Sequence, residues 1–418
     1  MFGEVWNKEM LTEGRSMSRD ITIKKFMTEW VEKDLDLCIG CNRCMEACPV
    51  SKEKFTIGEL NHATQPEKQS LENQFPGNRR SIPSEIRDFA FNCVQCGRCV
   101  PVCPAGARRD YMVLFLKHKL LDERPPEYTN YLSMKGPFVS KSGMIKQKIY
   151  ASVQKAKHRD HAKFMETVSS EKTGVLFYPG CYIYNNAAMK RTLKLLDHIG
   201  EPYEVLGGLN TCCGIPQLLQ GDFDLADRCL DALHEKVMVS DPKIVITGCA
   251  ECLEALLRIK AKHKTDFQVL SALEYLMEFV EKFPITKLRD SVTLHDSCRL
   301  TRRYHRGETT RQAISRFASL HEMEESGPAT KCCYYWNFEH DPKNQQHREK
   351  RIESAKGVAG TMVCDCISCY EKYEKFNDNG IEVIDVLHLF EESLDHVGGK
   401  MESNNERTGV VGKRGEGK

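Results

Sequence analysis

KIVITGCAECLEAL, residues 243–256, and GTMVCDCISCYEKY, residues 360–373, share one layout. In each, an apolar, β-branched run leads into a Cys-x2-Cys pair, and helix-forming residues follow. Cys249 and Cys252 form the first pair, Cys366 and Cys369 the second, and Cys364 is an extra thiol just ahead of it. Thiols this closely spaced are metal ligands more often than disulfide partners in a reducing compartment.

Each stretch closes a longer block. Block one reads GVLFYPGCYIYNN (174–186), GLNTCCGIPQL (208–218), then the first stretch. Block two reads SVTLHDSCRLTRR (291–303), ATKCCYYWNFE (329–339), then the second. A strand-like run ending in one Cys, a Cys-Cys pair, and a strand-like run ending in Cys-x2-Cys thus occur twice. The candidate ligands are Cys181, Cys212, Cys213, Cys249 and Cys252 in block one, and Cys298, Cys332, Cys333, Cys366 and Cys369 in block two. The Cys-x2-Cys register favours Cys366 and Cys369 over Cys364, and Cys229 reads as a buried apolar side chain. The runs VLFYP, KIVIT, VTLH and TMVCD alternate with helical stretches such as MKRTLKLLDHIG and DLADRCLDALHEKVMV. That alternation implies parallel strands, crossover helices and ligands at strand C-termini. Two blocks predict two lobes that meet face to face.

The N-terminal third has a different pattern. Cys38, Cys41, Cys44 and Cys48 are spaced C-x2-C-x2-C-x3-C-P, and Cys93, Cys96, Cys99 and Cys103 repeat it. This is the bacterial ferredoxin run, in which three close thiolates bind one cubane and the Cys before Pro reaches the other cluster. The expected sets are Cys38, Cys41, Cys44 and Cys103 for one cubane, and Cys93, Cys96, Cys99 and Cys48 for the second. Structural zinc is disfavoured, because its motifs come as two well-separated C-x2-C pairs. The helix-forming segments FTIGEL and SEIRDFAFN separate the runs, which resembles the helical ferredoxin module of electron-transfer subunits. RRDYMVLFLKHKLLDE reads as an amphipathic helix with Tyr111, Val113, Leu114, Leu116 and Leu120 inward, broken by Pro125 and Pro126.

Composition narrows the class. The chain has 418 residues with 41% hydrophobic and 28% charged residues, as in ordinary globular proteins. A net charge of +1 recruits no nucleic acid. No run reaches the roughly 18 apolar residues of a membrane span, and the first residues lack the apolar stretch of a secretory signal. The expected location is cytoplasmic, with peripheral contact on the inner face of the membrane as a second option. From Lys141 to Lys163, Lys141, Lys146, Lys148, Lys155, Lys157, Arg159 and Lys163 face one acid, Asp160. Ile145, Ile149 and Val153 recur there at helical spacing, giving either a surface for anionic lipid or an acidic partner, or a solvated linker helix.

The C-x(n)-C-C-G-x(n)-C-x2-C pattern resembles the cysteine-rich motif of the heterodisulfide reductase family. Two ferredoxin runs followed by two such blocks resemble that family's fused, D-type polypeptide. The iron-sulfur subunits of anaerobic glycerol-3-phosphate dehydrogenase and glycolate oxidase are similar, over roughly residues 35 to 392. The resemblance implies a non-cubane [4Fe-4S] cluster held by five cysteines in each block, with paired clusters splitting a disulfide such as that of coenzymes M and B. It implies one or two such clusters beside two cubanes, and partner redox subunits of flavoprotein, cytochrome b, hydrogenase or dehydrogenase type. No glycine-rich phosphate loop is present, so flavin or nicotinamide belongs to a partner.

The expected fold is therefore α/β, with an N-terminal all-helical ferredoxin module and two repeated small α/β cysteine-rich lobes. Its expected divisions are a ferredoxin domain at 1–125, a basic connector at 126–172, lobes at 173–285 and 286–396, and a disordered tail at 397–418. Block two departs from the motif, with Tyr334 where block one has Gly214. Gly permits positive φ and close approach to a cluster, which Tyr does not do cheaply. Either the second cluster survives with altered packing or block two only completes the fold. His295 and Asp296 are either proton donors to a product thiolate or satisfied loop groups. Tyr334, Tyr335, Trp336 and Phe338 line a cavity or belong to the core. Disulfide reduction leads the functional readings. A relay from a dehydrogenase to a quinone or low-potential carrier comes next, and a redox-sensing scaffold last.

Overall fold

The computed structural model describes residues 22–51, 55–66, 82–157, 159, 172–181, 187–285, 287–334, 342–375, 377 and 380–407. Among the described residues before Val175 every regular element is helical. The helices are α1 (Ile23–Leu37), α2 (Arg43–Glu46), α3 (Ile57–Thr64), α4 (Ser84–Asn92), α5 (Arg109–Lys119), α6 (Pro126–Leu132) and α7 (Lys141–Lys157). Local chemistry sets their starts. Thr22 caps α1 by accepting from Lys25 N, and Thr56 and Glu59 form a reciprocal capping box on α3. Pro125 and Pro126 end one segment and open α6, with Pro126 in the first turn, where its missing N–H costs nothing.

Helix α5 is buried from Arg109 to Lys117, so it is enclosed on all sides rather than amphipathic. The physical reason is that it has partners all round. Val113, Leu116 and Leu120 close a core with Ile57, Leu60, Ile86 and Phe89. Tyr111, Met112, Leu114 and Phe115 join a second core, with α1 and the first lobe. Its Lys117 Nζ is satisfied there by the carbonyls of Cys93 (2.8 Å) and Leu219 (3.1 Å).

The remainder forms two four-stranded, wholly parallel sheets. The first contains β1 (Val175–Gly180), β2 (Glu204–Gly207), β3 (Ile244–Thr247) and β4 (Gln268–Ser271), in the order β2-β1-β3-β4. The second contains β5 (Arg289–His295), β6 (Ala318–Leu320), β7 (Thr361–Cys364) and β8 (Glu382–Asp385), in the order β6-β5-β7-β8. Registers match as well, with Val175 opposite Ile244 and Thr293 opposite Met362. The two central strands of each sheet are those read from the sequence, and burial on both faces explains their unbroken apolar runs.

In each sheet the chain leaves the first strand outward, then returns past it to the third. Loops diverge at that reversal, which opens a crevice at the strands' C-terminal ends. Helices α8 (Ala187–Ile199), α9 (Ile215–Leu219), α10 (Phe223–Val239) and α11 (Ala250–His263) accompany the first sheet. The last helix runs Val386–Arg407 and so takes in 397–407 of the stretch expected to be disordered, while 408–418 lie outside the described residues. It continues directly from β8, and its first turns are anchored by buried Leu389 and Phe390.

Candidate functional site

The two ferredoxin runs share a loop geometry. Gly40 and Asn42 in the first, and Gln95 and Gly97 in the second, all have φ between 56° and 72°. Alternate left-handed residues curl each loop around its cysteines. Cys38, Cys41, Cys44 and Cys103 line one small pocket with Ile57 and Arg109. Asn61 Nδ2 (3.3 Å) and Arg109 Nη2 (3.4 Å) both donate to Cys38 Sγ. Burial pushes the Cys38 thiol up, but the Asn61 amide, the Gly40 N–H and Arg109 outweigh it and hold it below the ordinary value.

Cys48 lies with Cys93, Cys96 and Cys99. Burial, then the neighbouring Cys93, pushes Cys48 up to about 12. Burial, Asp110 and the other three thiols raise Cys99 well above its ordinary value. Gln95 Nε2 donates to Cys93 Sγ at 3.4 Å. The structure thus brings the Cys before Pro of each run to the other run's trio.

In block one, Cys181, Cys212, Cys213, Cys252 and Cys249 make a continuous chain of thiol contacts, in that order. Block two repeats the order. Cys298 meets Cys332 (3.8 Å), Cys332 meets Cys333, Cys333 meets Cys369 (3.3 Å), and Cys369 meets Cys366. The single Cys and the Cys-x2-Cys pair follow the two central strands, and the Cys-Cys pair arrives on the loop between them. A Cβ at Gly180 would lie 2.6 Å from Cys252 Sγ, so only glycine lets β1 approach the sulfurs this closely.

Tyr334 takes the backbone conformation of its counterpart in block one. It adopts φ 57°, the left-handed conformation that Gly214 adopts at φ 81°. Its N–H points to Cys332 Sγ at 3.3 Å, and its ring stacks on His347 at 4.8 Å. At Gly214 a Cβ would sit 2.8 Å from Cys229 Cβ and 2.9 Å from the Ala226 carbonyl of α10. Block two carries a side chain on the same backbone, and that side chain is buried against His347 of the helix Pro342–Lys356. Tyr335, Trp336 and Phe338 lie outside the described residues.

His295 and Asp296 are held structurally. Burial, then Arg351 (Nε to Nδ1, 3.3 Å), keeps His295 neutral. Asp296 accepts two bonds of 2.9 Å from Arg311 and one of 2.6 Å from Gly327 N. Cys364 ends β7 inside a cavity of about 50 Å³ between the lobes, opposite Cys249 and beside Asp365 and Arg306.

Sequence reading missed the cations around these sulfurs. Buried Lys135 donates from the connector to Cys181 Sγ at 3.3 Å. Arg302 of block two donates to the Cys96 carbonyl at 2.7 Å, beside a cavity of about 360 Å³ that Cys96 and Cys298 share. Asp110 pairs with Arg108 (2.9 Å) and with Arg303 of block two (3.0 Å), and Glu254 of block one pairs with Arg258, Arg299 and Arg303. The "RR" of SVTLHDSCRLTRR was the only signal, and nothing in it named a partner.

Among the described residues no His, Cys, Asp and Glu group is spaced for a single metal ion. The donors come instead as all-sulfur sets of four and five with N–H groups aimed at them, the chemistry that iron-sulfur clusters require. Residues 34–107 match the model of the 4Fe-4S dicluster domain, and residues 175–256 that of the cysteine-rich domain. This is an iron-sulfur protein. It is related at low identity to the iron-sulfur subunits of several reductases and oxidases.

One relative is the D component of the dihydromethanophenazine:CoB–CoM heterodisulfide reductase of Methanosarcina barkeri, 23% identical over 72% of this chain and 78% of that protein. The B component of the fumarate reductase (CoM/CoB) of Methanothermobacter marburgensis is 24% identical over 72% of this chain, which spans 59% of that protein's length. A probable glycolate oxidase iron-sulfur subunit of Bacillus subtilis is 22% identical over 76% of this chain and 83% of that protein. Among the described residues no helix is long and apolar enough to cross a membrane.

Proposed function

We propose that this chain is the iron-sulfur subunit of a heterodisulfide reductase-like complex. It holds one cubane [4Fe-4S] cluster on Cys38, Cys41, Cys44 and Cys103 and a second on Cys93, Cys96, Cys99 and Cys48. The five thiols of each block hold a non-cubane [4Fe-4S] cluster. When bound, these clusters supply the one-electron steps by which a disulfide, taking two electrons and two protons, becomes two thiols.

The observation that carries this reading is the five-thiol chain, repeated in the same order at the same edge of two sheets. Lys135, Asn61 and Arg109 place donors on sulfurs that must carry negative charge as ligands. Arg302 fixes the second run against block two. The complex is cytoplasmic on this reading, and partner subunits bring any flavin, nicotinamide or haem.

A relay to a quinone or low-potential carrier is favoured by one observation. The cavity lined by Cys249 and Cys364 between the lobes, at about 50 Å³, has room for a few waters and not for a disulfide. Iron analysis of anaerobically purified protein, followed by EPR with and without the coenzyme M–coenzyme B disulfide, separates the two. About 16 iron atoms per chain and a new paramagnetic signal on adding disulfide support reduction here. About 12, with no response to disulfide, leaves a relay.

A further inference from the structure

Ten large apolar residues are exposed among the described residues, and five of them lie between Phe138 and Val153. Four belong to α7: Met144, Ile145, Ile149 and Val153, the last three between 55% and 59% exposed. In this 17-residue helix only Gly143 is buried.

The orientation of α7 is fixed from its inner side. A Cβ at Gly143 would land on the Ser133 carbonyl oxygen and 2.9 Å from Val139 Cβ, so the helix is seated against the preceding loop. Gln147, on the same side, donates to the carbonyls of Met134 (2.9 Å) and Gly136 (2.8 Å). At about 100° per residue, Ile145, Ile149 and Val153 fall within about 80° of one another on the opposite face. Lys146 and Lys157 flank that stripe on one side, and Lys141, Lys148 and Lys155 on the other. All five lysines are exposed, and Lys141–Lys157 contains no carboxylate.

We propose that α7 lies flat on an anionic membrane surface, with the Ile145, Ile149 and Val153 stripe in the acyl boundary and the two lysine rows at the headgroups. The arrangement is that of an interfacial helix: an apolar face, cations on both edges, and a length of about 25 Å along the membrane plane. A lipid surface supplies negative charge to both rows and an apolar layer to the stripe between them. A protein groove would need two acidic rails set either side of an apolar floor. The inference is independent of the redox reading.

The test is co-sedimentation of the full, anaerobically purified chain with vesicles of phosphatidylglycerol or phosphatidylcholine. The expected result is partition to phosphatidylglycerol at least roughly tenfold stronger than to phosphatidylcholine, weakening as salt rises. Ile149→Asp should reduce that partition roughly tenfold, with iron content and unfolding midpoint unchanged because the residue is exposed. Lys146→Gln with Lys148→Gln should lower the preference for the anionic lipid. No partition to phosphatidylglycerol, or an Ile149→Asp chain that binds as the parent does, overturns the proposal. So does a dimer seen by light scattering that Ile149→Asp dissolves without any vesicle binding, since the face is then an interface between copies.

Discussion

Block one and block two reach the same arrangement of five thiols with different packing. In block one the loop after the Cys pair is pressed onto α10, so only glycine fits at 214. In block two the same left-handed backbone carries Tyr334, whose ring rests on His347. The difference teaches that the glycine of a Cys-Cys-Gly stretch meets two separate demands. One is a positive φ, which both blocks show; the other is the close approach of α10, which fills the space a side chain would need at 214.

The hardest way to break this comparison is to count iron. Cys213→Ser and Cys333→Ser should each remove about four iron atoms per chain and leave the rest. If Cys333→Ser loses none, block two holds no cluster and the symmetry ends at the fold. Exchanging the residues after the Cys pairs is the next test. Gly214→Tyr should prevent folding or cost more than about 4 kcal/mol in denaturant unfolding, because its Cβ overlaps backbone. Tyr334→Gly relieves a strained φ but empties a buried site, for a loss of about 2–4 kcal/mol. Equal costs for the two would refute the packing argument.

The blocks also differ in their neighbours. The second cysteine run lies against block two, and Lys135 of the connector reaches block one. Lys135→Met should raise the free energy of placing negative charge at Cys181. The reduction potential of the block-one signal should then fall in an EPR-monitored titration while that of block two stays put. A shift in both would mean that the two sets are not electrically separate.

The smallest effect is one of pH, at the cavity beside block two. Burial, helped by Asp110, raises the Asp34 carboxyl to about 6 despite the bond it accepts from Arg108 N. The folded chain therefore binds more protons there than the unfolded one between pH 3.8 and about 6, so this group's contribution to stability falls as pH rises through that window. Asp34→Asn should flatten that segment of the stability profile, measured as unfolding midpoint against pH. An unchanged slope would assign the titration elsewhere.

Much of the fold was legible because strands buried on both faces leave long apolar runs, as in β1, β3, β5 and β7. The outer strands β2, β4, β6 and β8 are partly exposed and include Glu204, Gln268, Ser319 and Glu382, so no apolar run marks them. Thiol spacing pointed to the five-cysteine sets because cysteines that share a loop keep a fixed separation in the sequence. The donors around them come from far along the chain, as with Lys135 and Cys181 or Arg302 and Cys96, and no local pattern encodes such pairs. Tyr334 left block two open because residue type alone does not report how much room surrounds a backbone atom.

Asp110, Glu254 and Arg303 also bear on how the protein can be divided. They come from the helical module, the first lobe and the second, and all three side chains are at most 6% exposed. Asp110 keeps Arg108 and Glu254 keeps Arg258 within their own pieces, but a cut between the lobes would leave Arg303 buried with neither carboxylate. The seam between the lobes is therefore a poor place to split the gene, and a separately produced second lobe should precipitate unless Arg303 is neutralised with the cut.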